Sequence, residues 1–296
     1  MKNVLLKTFY KQRAEFNEMT AARDKTLIFP EDISEYRDIP YMGDGDKAHC
    51  LDIFRSKGRT GEALPVIVDV HGGGMILGNK EFNRHFCAQI CSMGYLVFCV
   101  EVRSVPEVRI FEQYEDLSRA MDYIKEIVPQ YNGDLQHVYA VADSGGANLL
   151  TYAIAMKKVD ALAEAAGVTP TTLDVKALGL ISGMFYTTKF DKIGLCMPDY
   201  LYGKGYKKSA FAPYTNPEHP EIVSALPPCY LVTSQNDNLQ HYTLNFEKAL
   251  TRHGVPHKLV NYPENKRMTH AFSVFEPFWE KSIDATAEML DFLKQY

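Results

Sequence analysis

No stretch of the 296 residues approaches the roughly 20 consecutive apolar side chains that a helix needs to cross a bilayer, so no membrane span is expected. The opening MKNVLLKTFYKQRAEF has an apolar run of only three residues between lysines and no small-residue cleavage site. It reads as no signal peptide, and the expected location is cytoplasmic. Blocks of positive charge are missing as well. The formal charge is -5, and the basic cluster KGYKK at 204–208 is short and reads as a solvated loop, which argues against a nucleic-acid partner. Cysteines are few and scattered. Of Cys50, Cys87, Cys91, Cys99, Cys196 and Cys229, four sit in apolar stretches, the pattern of buried free thiols. Cys87 and Cys91 share a helix face, yet no Cys or His pair follows at zinc-like spacing, so no metal site is expected. Internal repeats and low-complexity linkers are absent too.

What is present is a large-core composition, 46% hydrophobic and 23% charged, with strand and helix signals in alternation. Apolar runs ALPVIVDV, YLVFCVEV, HVYAVAD, VKALGLIS, CYLVTSQ and HKLVNYP read as strands. Between or after them, KEFNRHFCAQICSMG, FEQYEDLSRAMDYIKEIV, a segment from about Ala147 to Met156, YTLNFEKALTRHG and SIDATAEMLDFLKQY carry helical periodicity. Near-continuous apolar strands linked by helices predict a mostly parallel central sheet flanked by helices, the doubly wound α/β class, with AHCLDIFRS as an antiparallel entry strand. Two segments break the alternation: residues 1–40, mostly helical and polar, and residues 184–225, rich in Tyr, Gly and Pro. Long irregular insertions are usually lids or binding loops, so both are read as cap elements over one catalytic domain spanning 1–296.

The chemistry centres on VADSGGANLL, residues 141–150. Ser144 ends an apolar strand and precedes a helix, which would present its hydroxyl on a tight turn at the carboxyl edge of the sheet. The usual G-x-S-x-G pattern is incomplete, because Ala142 stands where the first glycine is expected. Upstream, HGGGMILG at 71–78 follows another strand, and consecutive glycines let backbone N–H groups face a ligand. Nine histidines are available, but only His270 lies after the last strand and before the last helix, while His71 is better placed to brace the glycine loop. Asp237 follows the strand 229–235; Asp191 and Asp199 lie in the expected cap and are weaker candidates. The chain order Ser144, Asp237, His270 matches one of the orders known for acyl-transfer triads.

These motifs resemble the hormone-sensitive-lipase-like branch of the α/β-hydrolases, carboxylesterases with an H-G-G-G loop, over roughly residues 45–295. VEVRSVPE at 100–107 is similar to that family's V-D-Y-R-L-A-P-E, keeping Arg103, Pro106 and Glu107; LPPCYLVTSQNDNL and THAF are similar to further family motifs. The resemblance implies Ser144 as nucleophile, His270 as general base and Asp237 as its orienter. It implies the N–H groups of Gly73, Gly74 and Gly145 as oxyanion donors, and a reaction that needs no metal or organic cofactor. Ala142 and Gly145 depart from the family's G-D-S-A-G-G-N-L without removing a donor, nucleophile or base, and a group of bacterial lipases is similar in carrying the alanine.

The expected substrate is a small or short-acyl ester. The same triad would serve an amidase or arylformamidase, and some relatives are ligand receptors that lack the histidine retained here. Leu5, Leu6, Phe9, Phe16 and Met19, with Phe185, Tyr186, Met197, Tyr200, Tyr202, Tyr206 and Phe211, are either the lining of an apolar pocket or the packing of the cap on the core. Self-association into a homo-oligomer stays open.

Overall fold

The computed structural model describes residues 2–296. In chain order the first half runs α1 Lys2–Asp24, β1 Ile33–Pro40, β2 Cys50–Ser56, β3 Leu64–Val70, α2 Lys80–Ser92, β4 Leu96–Val100, α3 Ile110–Ile127, β5 Gly133–Asp143 and α4 Ser144–Met156. The second half runs α5 Asp160–Ala166, β6 Leu178–Ile181, α6 Lys192–Cys196, α7 Pro198–Leu201, α8 Pro220–Ser224, β7 Cys229–Ser234, α9 Gln240–Arg252, β8 His257–Tyr262, α10 Phe272–Phe275 and α11 Glu280–Leu293. The strands form one sheet in the order β1-β2-β4-β3-β5-β6-β7-β8. β2 pairs antiparallel with both β1 and β4, and the remaining pairings are parallel. The α/β expectation is met, including the antiparallel entry strand.

Alternation along the buried strands divides the core into two layers, because successive side chains leave opposite faces of a sheet. Val66, Val68 and Val70 of β3 and Leu96, Phe98 and Val100 of β4 join Leu117, Met121 and Ile124 of α3 on one face. Ile67, Val97, Cys99 and Val141 meet Phe86 and Ile90 of α2 and Met289 and Leu293 of α11 on the other. Both faces are covered, so the strand sequences carry no polar stripe.

Two boundaries differ from the sequence reading. Residues 33–40, grouped there with the N-terminal cap, are the outer strand of the sheet; most of β1 is only half-buried or exposed, which leaves little hydrophobic pattern to read. Helix α4 begins at Ser144 rather than near Ala147. Two glycines in its first turn have low helix propensity, and tertiary packing overrides it. A Cβ on Gly146 would stand 2.2 Å from the Val70 carbonyl oxygen and 2.6 Å from that of His71, so only glycine lets the helix start this close to β3.

The start of α2 is fixed by a buried charge. Lys80 Nζ lies 2.8 Å from Asp38, 2.9 Å from Asp52 and 2.8 Å from Glu81, with the Asp52 side chain fully enclosed. Asn79 caps the helix by accepting from the Phe82 N–H. Together these set the exit of the loop that follows β3. Lys80→Met removes the cation and leaves Asp52 buried without its close partner, a loss of about 3 kcal/mol in urea unfolding. Adding Asp52→Asn to that variant is expected to recover part of the loss.

Candidate active site

The loops after β3, β5, β7 and β8 emerge at the carboxyl edge of the parallel strands, and the polar residues singled out in the sequence converge there. Ser144 has φ +49, a left-handed conformation that is costly for a non-glycine residue and is held by the packed strand and helix on either side. His270 follows β8, and Asp237 follows β7. Their loops are joined by a bridge between Asn236 and Thr269, by the Asn265 N–H donating to Asn236 Oδ1 at 2.8 Å, and by the Ser234 hydroxyl donating to the Met268 carbonyl.

The resulting relay is continuous. Ser144 Oγ lies 2.9 Å from His270 Nε2, and His270 Nδ1 lies 2.7 Å from Asp237 Oδ1. The Asp237 side chain is enclosed and accepts further from the Leu239 N–H and the Thr233 hydroxyl, each at 2.8 Å. Burial pushes its carboxyl pKa upward, but the bonds from His270 and the Leu239 N–H outweigh that and hold it below the ordinary value. An ionised carboxylate at this point favours the His270 tautomer with Nδ1 protonated, leaving Nε2 free to accept from the serine.

Loop 71–78 is held through the carbonyls of Gly72, Gly73, Met75 and Ile76. His71 Nδ1–H donates to the Gly72 carbonyl at 2.8 Å, and the Ile76 and Leu77 N–H groups donate to that of Gly73. Val105 N–H and Gln113 Nε2 donate to Met75, and Arg13 Nε donates to Ile76 at 2.8 Å. Among the described residues, nothing accepts from the N–H groups of Gly73, Gly74 or Gly145. Gly73 has φ +107, and a Cβ there would stand 1.9 Å from the Leu77 carbonyl oxygen, so the turn requires glycine. A Cβ on Gly145 would stand 2.7 Å from Gly74 N; the glycine at 145 lets the loop close onto the start of α4.

Two side chains hold this loop from below. Asp143 Oδ1 accepts the Gly72 N–H at 2.9 Å and Asn83 Nδ2 at 3.1 Å, turned away from the relay as its neighbour Ser144 turns in. His71 Nε2–H reaches Glu101 at 3.2 Å, and Glu101 also accepts the Lys80 N–H at 2.8 Å. Burial lowers the His71 pKa, but the Glu101 charge and the hydrogen bonds to Glu101 and Gly72 outweigh it, raising the imidazole to about 9. His71 thus braces the loop, as its place in the glycine run suggested, and its raised pKa favours the cation.

Other sequence candidates lie elsewhere. Asp191 caps α6 by accepting the Gly194 N–H at 3.0 Å, and Arg103 makes a two-point contact with Asp116 at 2.9 and 2.6 Å. Cys87 groups with Cys99 and Asp69 rather than with Cys91, and burial pushes its thiol up to about 12. Ala142 is fully buried in the core. The aromatic candidates divide. Phe185 stacks on Phe246 at 4.1 Å and Phe211 packs against the stacked pair Tyr114 and Tyr152, which is core packing. Leu5, Tyr200 and Tyr206 do line a hollow of about 800 Å³.

Arg13 escaped the sequence reading, as did Gln113, Asn83 and Thr233. Arg13 lies on α1, yet besides Ile76 it binds the Val105 carbonyl at 2.9 Å and Glu107 at 2.8 and 3.0 Å. The one available signal was Glu107, kept within VEVRSVPE; its partner lies 94 residues earlier and leaves no local trace.

Comparison with known proteins agrees with this fold. The esterase B structure from Lactobacillus rhamnosis superposes with a TM-score of 0.92 at 23% identity, covering 99% of this chain and 95% of that one. A probable isoprenylcysteine alpha-carbonyl methylesterase of Arabidopsis thaliana is 24% identical over 240 residues, 75% of this chain and 48% of its own length. A versiconal hemiacetal acetate esterase of Dothistroma septosporum is 26% identical over 228 residues, 71% of this chain and 68% of its own. The chain spans about half the length of the plant methylesterases it matches. The profile of the alpha/beta hydrolase fold family matches residues 67–274, from within β3 to within α10, enclosing the glycine loop, the serine turn, Asp237 and His270. With the sheet, the edge and the loops in agreement, this chain belongs to the α/β-hydrolase family.

Proposed function

We propose that the chain is a serine carboxylic ester hydrolase acting on small or short-acyl esters, with Ser144 as nucleophile, His270 as general base and acid, and Asp237 as the orienting carboxylate. The observation that carries this reading is the relay of 2.9 and 2.7 Å from Ser144 through His270 to Asp237. As Ser144 Oγ attacks the ester carbonyl carbon, its proton passes to His270 Nε2. The carbonyl oxygen becomes an oxyanion and accepts from the uncommitted N–H groups of Gly73, Gly74 and Gly145. Collapse breaks the ester bond and His270 returns the proton to the departing alcohol. Water, deprotonated by the same nitrogen, then attacks the acyl-serine; the acid leaves and the serine is regenerated. Residues 1–40 and 184–225 serve as cap elements over this site, with β1 belonging to the sheet. The names of the relatives, a methylesterase and an acetate esterase, support small ester groups as the substrate class.

Ser144→Ala is expected to lower kcat on p-nitrophenyl esters by on the order of 10^4-fold or more. Equal rates in the two proteins would reject the nucleophile. Running N-formyl aromatic amides beside the esters separates ester from amide preference, with higher kcat/KM on the esters expected.

Arg13 acts on the same reaction as a positioning residue, because it holds the Ile76 carbonyl and with it the orientation of the glycine loop. Arg13→Ala should lower kcat by roughly 10- to 100-fold, the cost of an angstrom-scale misplacement, with KM little changed. Added guanidinium ion should restore part of the rate. A loss seen in KM alone, or one that guanidinium does not relieve, would make the contact merely structural.

The His71 brace has a defined pH dependence. Its pKa is raised on folding, so it stabilises the fold in full below the unfolded value of 6.5 and loses that contribution as pH rises through about 9. The Tm difference between wild type and His71→Asn is therefore expected to be widest below pH 6.5 and to close above pH 9. A constant difference across that window would show that His71 is not held as a cation.

A further inference from the structure

The first turns of α1 and the segment 189–208, both within the cap segments, present an apolar surface whose exposed side chains take no part in the catalytic steps. Phe190 is 95% exposed, Val4 67% and Leu195 66%, in a molecule that buries most side chains of this kind. Val4 and Leu195 border the hollow of about 800 Å³ with Leu5, Pro198, Tyr200 and Tyr206. Phe190 borders a neighbouring hollow of about 560 Å³ that shares Leu195, Tyr206 and Lys207 with the first. The three exposed residues thus belong to one continuous face. Scattered single apolar residues need no explanation, but a contiguous patch around a cavity marks a place where something docks.

The charge around this face is opposite in sign to that of the whole. The chain carries -5, yet residues 189–208 hold Lys189, Lys192, Lys204, Lys207 and Lys208 against Asp191 and Asp199. The Asp191 carboxylate is already committed to the Gly194 N–H and the Tyr242 hydroxyl. Some lysines elsewhere pair with carboxylates, as Lys157 and Lys176 do with Asp174 and Lys258 does with Glu288, but only here do five stand in one short segment. Among the described residues, none of the five lysines stands within ion-pair distance of a carboxylate; Lys189 Nζ instead lies 3.6 Å from the centre of the Tyr186 ring. A second copy docking by the same face would bring lysines against lysines, which disfavours a symmetric dimer here.

We propose that this face docks on an anionic lipid surface. Phe190, Leu195 and Val4 would enter the boundary between headgroups and acyl chains, Tyr200 and Tyr206 would lie at headgroup level, and the lysines would meet lipid phosphates. Val4 precedes Arg13 by nine residues of α1, roughly 14 Å along the helix at its usual rise, so the docking face and the loop held by Arg13 share one rigid element.

The test is cosedimentation of the full chain with vesicles of phosphatidylcholine alone and with vesicles in which a third of the lipid is phosphatidylglycerol. Binding is expected only to the second, and salt should release it. Two surface variants, Phe190→Asp with Leu195→Asp and Lys204→Glu with Lys207→Glu and Lys208→Glu, should each weaken it by more than about 10-fold. Both should keep the wild-type circular dichroism spectrum and unfold cooperatively, which shows that they fold and keeps this test separate from that of the catalytic assignment. Absence of vesicle binding by the wild type, or equal binding by the variants, overturns the proposal. A concentration-dependent dimer that the Phe190 and Leu195 variant abolishes would overturn it too, assigning the face to a second copy.

Discussion

A single hydrogen bond, from the Gly72 N–H to the carboxylate of Asp143, ties the loop after β3 to the end of β5. One side of that bond is the strained turn carrying Ser144, and the other is the loop whose free N–H groups face it. Because Asp143 is held in turn by Asn83 from α2, the two segments are set against each other by three elements of the core. The spacing between a proposed nucleophile and its oxyanion donors must be kept to a fraction of an angstrom, and flexible loops cannot do this alone. Here the loop is gripped through the carbonyls of Gly72, Gly73, Met75 and Ile76, while the N–H groups of Gly73 and Gly74 stay uncommitted among the described residues.

The same logic extends outward. Glu101 at the end of β4 joins His71 to the first N–H of α2, where Lys80 is anchored among three carboxylates. Arg13 joins the far side of the loop to α1. Charge is therefore concentrated beneath and beside the site, in pairs that burial makes expensive to break. The aromatic residues of the 184–225 segment add a second kind of restraint, because Phe185 and Phe211 are inserted into the core and fasten the segment to it.

Much of the fold was legible because its strands are buried on both faces and its helices are amphipathic, patterns that local sequence records. β1 was hidden because an edge strand needs few apolar side chains, and the start of α4 was hidden because two glycines mask it. At the site, Ser144, Asp237 and His270 could be named because each lies in the connection that follows a strand, with chain order narrowing the choice among nine histidines. Arg13, Asn83 and Gln113 could not. Nothing near Arg13 distinguishes it from other surface arginines; its meaning lies in carbonyls 63 and 92 residues away.

By itself the sequence determined the layered α/β architecture, the edge at which a site would form and the residue types able to carry acyl transfer. These follow from periodicity, from glycine's freedom at a tight turn and from the order of polar residues after strands. Tertiary structure alone decided that Ser144 and His270, 126 residues apart, stand 2.9 Å from each other. It also decided that Ala142 is a core methyl, and that Gly145 makes room for the loop opposite. Such facts depend on distances between segments remote in the chain, which no local pattern encodes and which packing of the whole core must set.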